Sequence, residues 1–290
     1  MKIPRYWAHG EARGHDRSGK AVGFTCWHWS DTSYDEALAK ANVRAAEIVA
    51  KYATGADLNR YPYGVRPMRE EIVQVVADRR GEQAAVVTRN GYGALVLNTP
   101  RAMFMDIDLG EERTTLRNRA AGFFTRLFGT KKPPQDAGVL AEPGLEEVQR
   151  WAELHRDLSL RVYRTRAGLR LLVTSHTFNP TDPRVNEMMV ELNCDPLYIR
   201  LCKAQECFRA RLTPKPWRCG VKNPPSTFPF ESDGLAAIYR QWLEDYNRAC
   251  APFAICRLVT AIGSSVHPEV APLLELHDKY CCINEGCKLA

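Results

Sequence analysis

The sequence predicts an α+β fold, in which helices cover a mostly antiparallel sheet. Short β-like runs come in pairs joined by turn residues, and the helical patterns between them lack the regular alternation of a doubly wound sheet. No internal repeat is present. The chain has 290 residues, of which 45% are hydrophobic and 26% are charged, and these values are typical of a globular protein.

Residues 1–82 are predicted to form a hairpin followed by helices packed on the core. Two β-like runs, 3–9 and 21–29, flank a polar segment that contains glycine. Ser33 and Glu36 have the spacing of a capping box, and the helical pattern that follows them contains neither Gly nor Pro. A helix is therefore expected over residues 35–53. A second helix is expected over residues 69–77, after a proline.

Residues 83–215 are predicted to form the α+β core. Strands are expected at 84–89, 94–98, 102–109, 160–165 and 169–175, and helices at 145–157 and 183–192. Residues 197–212 fit either a helix or a strand. Residues 110–138 form a basic insertion that alternates Arg and Lys with Phe, and it is predicted to be a solvated connection or a surface for nucleic acid.

Residues 216–290 are predicted to form a C-terminal cap of helices and a strand. Proline and glycine are dense between residues 214 and 229, which places a boundary there. Helices are expected at 235–248 and 267–280, with a strand at 253–262 between them.

Two carboxylates end the apolar strand at 102–109. Side chains alternate along a strand, so Asp106 and Asp108 share one face. Two like charges this close repel each other unless a cation compensates them, and carboxylate oxygens favour Mg²⁺ or Mn²⁺. The alternative is a pair of solvated acids at a strand end.

One histidine ends the strand at 169–175. Alternation puts His176 on the same face as Arg170 and Thr174, and the partner strand carries Arg164 and Arg166 on one face. Arginines near a metal ion suit a polyphosphate ligand. The alternative is a structural or solvated histidine.

A third polar segment follows. Asp195 is a candidate third metal ligand, and Arg209, Arg211 and Lys215 are candidate phosphate-binding residues. The alternative is a solvated basic face around a proline-rich turn.

The order of these motifs resembles the archaeo-eukaryotic primase superfamily, which includes the primase-polymerases. The shared order is hydrophobic–Asp106–x–Asp108, then Thr174-Ser175-His176, then Asp195 and the basic residues after it. The resemblance covers residues 84–215. The chain as a whole also resembles a group of uncharacterised bacterial proteins, which implies no function.

The primase resemblance implies an RRM-like core and metal-dependent nucleotidyl transfer on nucleic acid. Asp106, Asp108 and Asp195 would bind Mg²⁺ or Mn²⁺, and His176 would contact a nucleoside triphosphate. Arg209 and Lys215 would belong to the basic region after the third acid. Single-stranded nucleic acid is the expected second partner, and the net charge of +6 fits it.

Other classes of protein stay open. A non-catalytic nucleic-acid-binding or adaptor protein explains the basic charge without a metal, and a glycosyltransferase or a nuclease also uses paired acids. The first sixteen residues, MKIPRYWAHGEARGHD, contain no apolar signal-peptide core, so a cytoplasmic protein with ten reduced cysteines is expected. No cysteine pair has C-x-x-C spacing, so buried or incidental thiols are expected rather than zinc, and a zinc site built from a distant set of cysteines stays the alternative.

Overall fold

The computed structural model describes residues 1–56, 66–109, 142–281 and 286–290, and within them the chain has an α+β fold. The described helices are α1 (Tyr34–Thr54), α2 (Leu145–Leu154), α3 (Pro183–Glu191), α4 (Pro196–Gln205), α5 (Asp233–Cys250) and α6 (Ala271–Cys281). None of these helices is both long enough and apolar enough to cross a membrane. The basic insertion predicted at 110–138 lies outside the described residues.

Most of the described strands pair antiparallel with a neighbour, and a short pair near the end of the chain is parallel. They are β1 (Tyr6–His15), β2 (Ala21–Ser30), β3 (Glu71–Ala77), β4 (Gln83–Arg89), β5 (Leu95–Thr99), β6 (Phe104–Asp108), β7 (Leu160–Thr165), β8 (Gly168–Val173), β9 (Phe208–Arg211), β10 (Phe253–Ala254), β11 (Cys256–Ile262) and β12 (Lys288–Leu289). The predicted α+β class is confirmed.

The chain groups into two compact units, each built from three segments. Unit 1 contains Met1–Thr99, Lys203–Cys207 and Lys215–Ala251, and unit 2 contains Pro100–Cys202, Phe208–Pro214 and Pro252–Ala290. In this grouping the chain returns to each unit after leaving it. The division into 1–82, 83–215 and 216–290 stays a prediction from the sequence.

Unit 1 begins with the predicted hairpin and helix. Strands β1 and β2 pair along their whole length, and α1 packs against both. The side chain of Ser33 accepts a hydrogen bond from the backbone N–H of Glu36 at 3.1 Å, so it caps α1 as its spacing predicts. A Cβ on Gly10 would lie 2.3 Å from the carbonyl carbon of Ala41, so glycine is needed where the hairpin meets the helix.

The second predicted helix is wrong, because residues 71–77 form strand β3. Val and Ile are common in this segment and favour extended backbone, and β3 pairs antiparallel with β4, which pairs in turn with β5. The Asn90-Gly91 turn between β4 and β5 lies where the sequence predicts it.

Unit 2 is centred on a four-stranded antiparallel sheet with the order β11–β7–β8–β6. Its two middle strands and β6 contain much of the buried core, including Phe104, Met105, Leu171 and Leu172. The ambiguous residues 197–212 form nearly all of α4 and then β9. Glu206 lies between them with a left-handed φ of 53° and interrupts the helix.

Candidate functional site

Asp106 forms an ion pair with a buried arginine on the neighbouring strand. The register of β6 and β8 places Asp106 directly opposite Arg170. Arg170 donates from Nε to Asp106 Oδ1 at 2.8 Å and from Nη2 to Asp106 Oδ2 at 3.3 Å. Burial alone would lower the pKa of Arg170, but the Asp106 carboxylate outweighs that effect and raises it. Arg170 therefore supplies the charge compensation that the sequence assigned to a metal ion.

The three predicted acids lie in one region of unit 2. The backbone N–H of Asp195 donates to the carbonyl of Asp106 at 3.4 Å, while Asp195 Oδ1 accepts from the backbone N–H of Leu197 at 2.9 Å. Asp108 is exposed at the end of β6. Within the described part of the chain, Asp106, Asp108 and Asp195 do not form a group of three whose ligand atoms lie close together.

His176 lies at the other end of the β6–β8 ladder. Asp108 is opposite Gly168, the first residue of β8, and Phe104 is opposite Leu172, near its last residue. His176 follows the end of β8, so it lies beyond the start of β6. The imidazole is exposed, and its Nδ1 is 2.8 Å from Ser175 Oγ. The structure does not bring the acids and the imidazole together, because antiparallel strands end at opposite edges of a sheet.

The predicted phosphate-binding arginines are in different environments. Arg164 pairs with Glu142 at 3.2 Å, and Arg166 is exposed in the turn between β7 and β8, at the same end of the sheet as Asp108. Arg209 is buried, and Arg211 accepts a hydrogen bond from Arg170 at its backbone carbonyl. The sheet thus places Arg166, but not Arg209, on an exposed edge of unit 2.

Lys215 belongs to an exposed aromatic and basic surface in unit 1, which we call the Trp217 surface. It consists of Tyr92, Lys215, Trp217 and Arg218. Tyr92 is 48% exposed and Trp217 is 50% exposed, and their ring centroids lie 5.2 Å apart at an interplanar angle of 89°. Lys215 Nζ lies 5.3 Å from the centroid of the Trp217 ring. This is a cation–π geometry.

Two tight turns hold the aromatic rings of the Trp217 surface in place. Asn90 Oδ1 accepts hydrogen bonds from the backbone N–H groups of Tyr92 and Ala94 at 3.0 and 3.1 Å. Gly93 has a φ of 82°, and a Cβ at this position would lie 2.4 Å from Cη2 of Trp242. Trp217 lies in a 3₁₀ turn, Pro216–Arg218, that begins with proline. The exposed rings are therefore presented on constrained backbone.

The sequence-based prediction included Lys215 but missed Tyr92 and Trp217. Both have a local signal. Trp217 lies between a proline and an arginine, two residues after Lys215, and Tyr92 lies between two glycines in the predicted hairpin turn. An aromatic residue at a constrained turn next to cations is a feature that sequence inspection alone can find.

A second group of side chains lies inside unit 2. Cys256, His277 and Cys281 are fully buried, and their ligand atoms all lie within 4.8 Å of one another. Among the described residues, no other group of three or more His, Cys, Asp or Glu side chains meets this spacing. Thiolate and imidazole are the ligands that zinc prefers. The prediction of Mg²⁺ or Mn²⁺, with zinc not expected, is therefore wrong, because the group that the described residues do form has the residue types of a zinc site.

The sequence-based prediction missed this group because its members are far apart in the chain. Cys256 begins β11, and His277 and Cys281 lie four residues apart on α6. The i, i+4 spacing of His277 and Cys281 was the available signal, since it places both residues on one helix face.

Comparison with family models, curated proteins and solved structures gives no match for this chain. The primase-like order of motifs therefore stays a prediction. The function is therefore inferred from the geometry of the side chains described above.

Proposed function

We propose that this protein binds single-stranded nucleic acid at the Trp217 surface and acts as a binding module. The observation that carries the proposal is the pair of half-exposed rings, Tyr92 and Trp217, beside the ammonium group of Lys215. Every nucleotide base has a flat face that stacks on such rings, and every nucleotide brings a phosphate that attracts cations.

The charge around the rings supports an anionic ligand. Lys215 and Arg218 flank Trp217 in the chain, and Arg89 donates to the carbonyl of Gly93 at 2.8 Å, which brings a third cation to the Tyr92 turn. The chain carries a net charge of +6. Cations interleaved with aromatic rings are typical of surfaces that bind single strands without reading their sequence.

The geometry favours binding over nucleotidyl transfer. The transfer reaction requires the acids to hold a metal ion, but Arg170 engages both carboxylate oxygens of Asp106. His176, the predicted nucleotide contact, lies at the far end of the β6–β8 ladder. Primase-type transfer, glycosyl transfer and nuclease activity stay predictions from motif order, and the proposal does not depend on them.

The test is binding of a fluorescent single-stranded oligonucleotide, followed by anisotropy at low salt, with oligo-dT and oligo-U as two separate probes. We expect Tyr92→Ala and Trp217→Ala each to weaken binding roughly 5- to 150-fold, the range that corresponds to a lost base stack. Tyr34→Ala is the matched control, because Tyr34 is also exposed but lies at the start of α1. Lys215→Gln removes one cation that contacts phosphate, so the slope of log K against log salt should become less negative by roughly 0.7.

An abasic strand of the same length separates stacking from simple charge attraction. We expect the wild-type protein to bind it less tightly than oligo-dT, and this difference to be smaller in Trp217→Ala, which keeps only the Tyr92 ring. Equal wild-type affinity for the two strands, or equal affinity of Trp217→Ala and Tyr34→Ala for oligo-dT, would contradict the proposal.

A further inference from the structure

We propose that Cys256, His277 and Cys281 bind one zinc ion, and that this ion fastens helix α6 to strand β11 in unit 2. The distance between Cys256 Sγ and His277 Nε2 is 4.0 Å, and all three ligand atoms lie within 4.8 Å of one another. Zn–S and Zn–N bonds place tetrahedral ligand atoms about 3.5–3.8 Å apart. Small side-chain movements are therefore sufficient to close the group around an ion.

The hydrogen bonds of His277 support this assignment independently of the spacing. His277 Nδ1 lies 3.0 Å from Asp278 Oδ1, while Nε2 is the ring nitrogen near Cys256. If Nδ1–H donates to the carboxylate, Nε2 keeps the lone pair that a metal requires. Histidine ligands of zinc commonly donate their second ring N–H to a carboxylate in this way.

A tyrosine fixes that carboxylate in turn. Tyr163 Oη donates to the same oxygen of Asp278 at 2.7 Å, and the Tyr163 ring packs against the imidazole with the centroids 4.8 Å apart. The orientation of the imidazole is thus set by neighbours that are not ligands, as expected of a prearranged site.

Burial indicates what the metal does. The three ligand residues are 0% exposed. Two thiolates and one Zn²⁺ carry no net charge, so the ion removes the cost of burying the thiolates alone. Three protein ligands leave one tetrahedral position of the ion without a cysteine or histidine ligand. Because the site is enclosed, a substrate cannot reach that position, and the role that fits is stabilisation of the fold.

The first measurement is the metal content of the full-length protein, purified without chelator. We expect one zinc ion per chain, and a melting temperature that falls when a strong chelator is added and recovers when zinc is returned. Cobalt added to the chelated protein should give the charge-transfer absorption of cobalt–thiolate bonds together with the visible bands of a tetrahedral ion.

Three variants test which residues bind the ion. Cys281→Ser and His277→Gln should lower both the zinc content and the cobalt–thiolate absorption. Cys194→Ser should change neither, since Cys194 is a buried cysteine of the same unit outside the group. If a ligand variant fails to fold, the cobalt spectrum of the wild-type protein still decides the question. Wild-type protein that contains no zinc and shows no cobalt–thiolate absorption would overturn the proposal, as would full retention of zinc by a folded Cys281→Ser variant.

Discussion

Arg170 and Asp106 form a bidentate ion pair across neighbouring strands, in which the Arg170 side chain is 1% exposed and the Asp106 side chain is 35% exposed. Planar, paired contacts of this kind are the strongest that arginine makes with a carboxylate. Because the arginine is buried and the aspartate is only partly so, the pair is asymmetric. Loss of the carboxylate leaves the buried guanidinium without a counter-charge, whereas loss of the arginine leaves a carboxylate that water can reach.

Asp106→Asn should therefore destabilise the protein. A buried guanidinium without its partner costs several kcal/mol, and the partial exposure of Asp106 lowers the expected loss to about 2–4 kcal/mol of unfolding free energy. Urea denaturation measures it. The control is Asp245→Asn, which breaks the exposed Asp245–Arg248 pair on α5 and should cost less than about 1 kcal/mol. Equal losses in the two variants would contradict the asymmetry.

Gly93→Ala should weaken both folding and nucleic-acid binding. The positive φ of Gly93 and the contact of an added Cβ with Trp242 both oppose a side chain, so we expect a loss of about 1–3 kcal/mol in unfolding free energy. Displacement of the turn also moves Tyr92, so affinity for oligo-dT should fall. Gly91→Ala is the matched control, since an added Cβ there meets open space. The prediction fails if Gly91→Ala is the more damaging change.

Glu36 should make stability depend on acid pH. Hydrogen bonds from Lys40, Ser30 and Thr32 lower the pKa of Glu36 from 4.5 to about 2. Because the folded pKa is depressed, the stabilisation is present above the unfolded value and is lost as pH falls from about 4.5 to about 2. The difference in melting temperature between wild type and Glu36→Gln should therefore shrink through that window.

Lys40→Gln provides the control for Glu36. It removes the largest cause of the shift, so the pKa of Glu36 should rise towards 4.5. The pH range over which stability is lost should then become narrower, because its lower limit rises with the pKa of Glu36. An unchanged pH profile in Lys40→Gln would show that another group is responsible.

Cys194 should be inert towards alkylating reagents in the folded protein. Burial, with smaller contributions from Asp106 and Asp195, raises the pKa of Cys194 to about 12. At pH 8 only roughly 0.01% of such a thiol is ionised, and the thiolate is the reactive form. Iodoacetamide labelling followed by mass spectrometry should modify the partly exposed Cys287 well before Cys194, until denaturant is added. Similar labelling rates for the two cysteines would refute this expectation.

Local patterns predicted most of the elements, and long-range pairing decided the exceptions. The Ser33 cap, the Asn90-Gly91 turn and the apolar strand before Asp106 depend on neighbouring residues, so they could be found in the sequence. The Val and Ile residues of 71–77 favour a strand locally, but the strand forms with β4 as its partner, and the sequence does not reveal that partner.

The candidate sites show the same division between features that local sequence predicts and features that long-range pairing decides. Side-chain alternation placed Asp106 and Asp108 on one face, but the sequence does not say which residue the neighbouring strand puts opposite Asp106. That residue is Arg170, and its charge changes what the acid does. Likewise, His277 and Cys281 share a helix face by spacing alone, whereas the approach of Cys256 depends on how β11 meets α6.

The direction of β8 also determines at which position a histidine side chain could lie close to Asp108. The chain reverses between β7 and β8 at the same edge of the sheet, so position 166 is on that side and position 176 is not. An attempt to engineer an acid–imidazole pair in this protein should therefore begin with Arg166→His, since rotamer changes at residue 176 cannot span the length of the ladder.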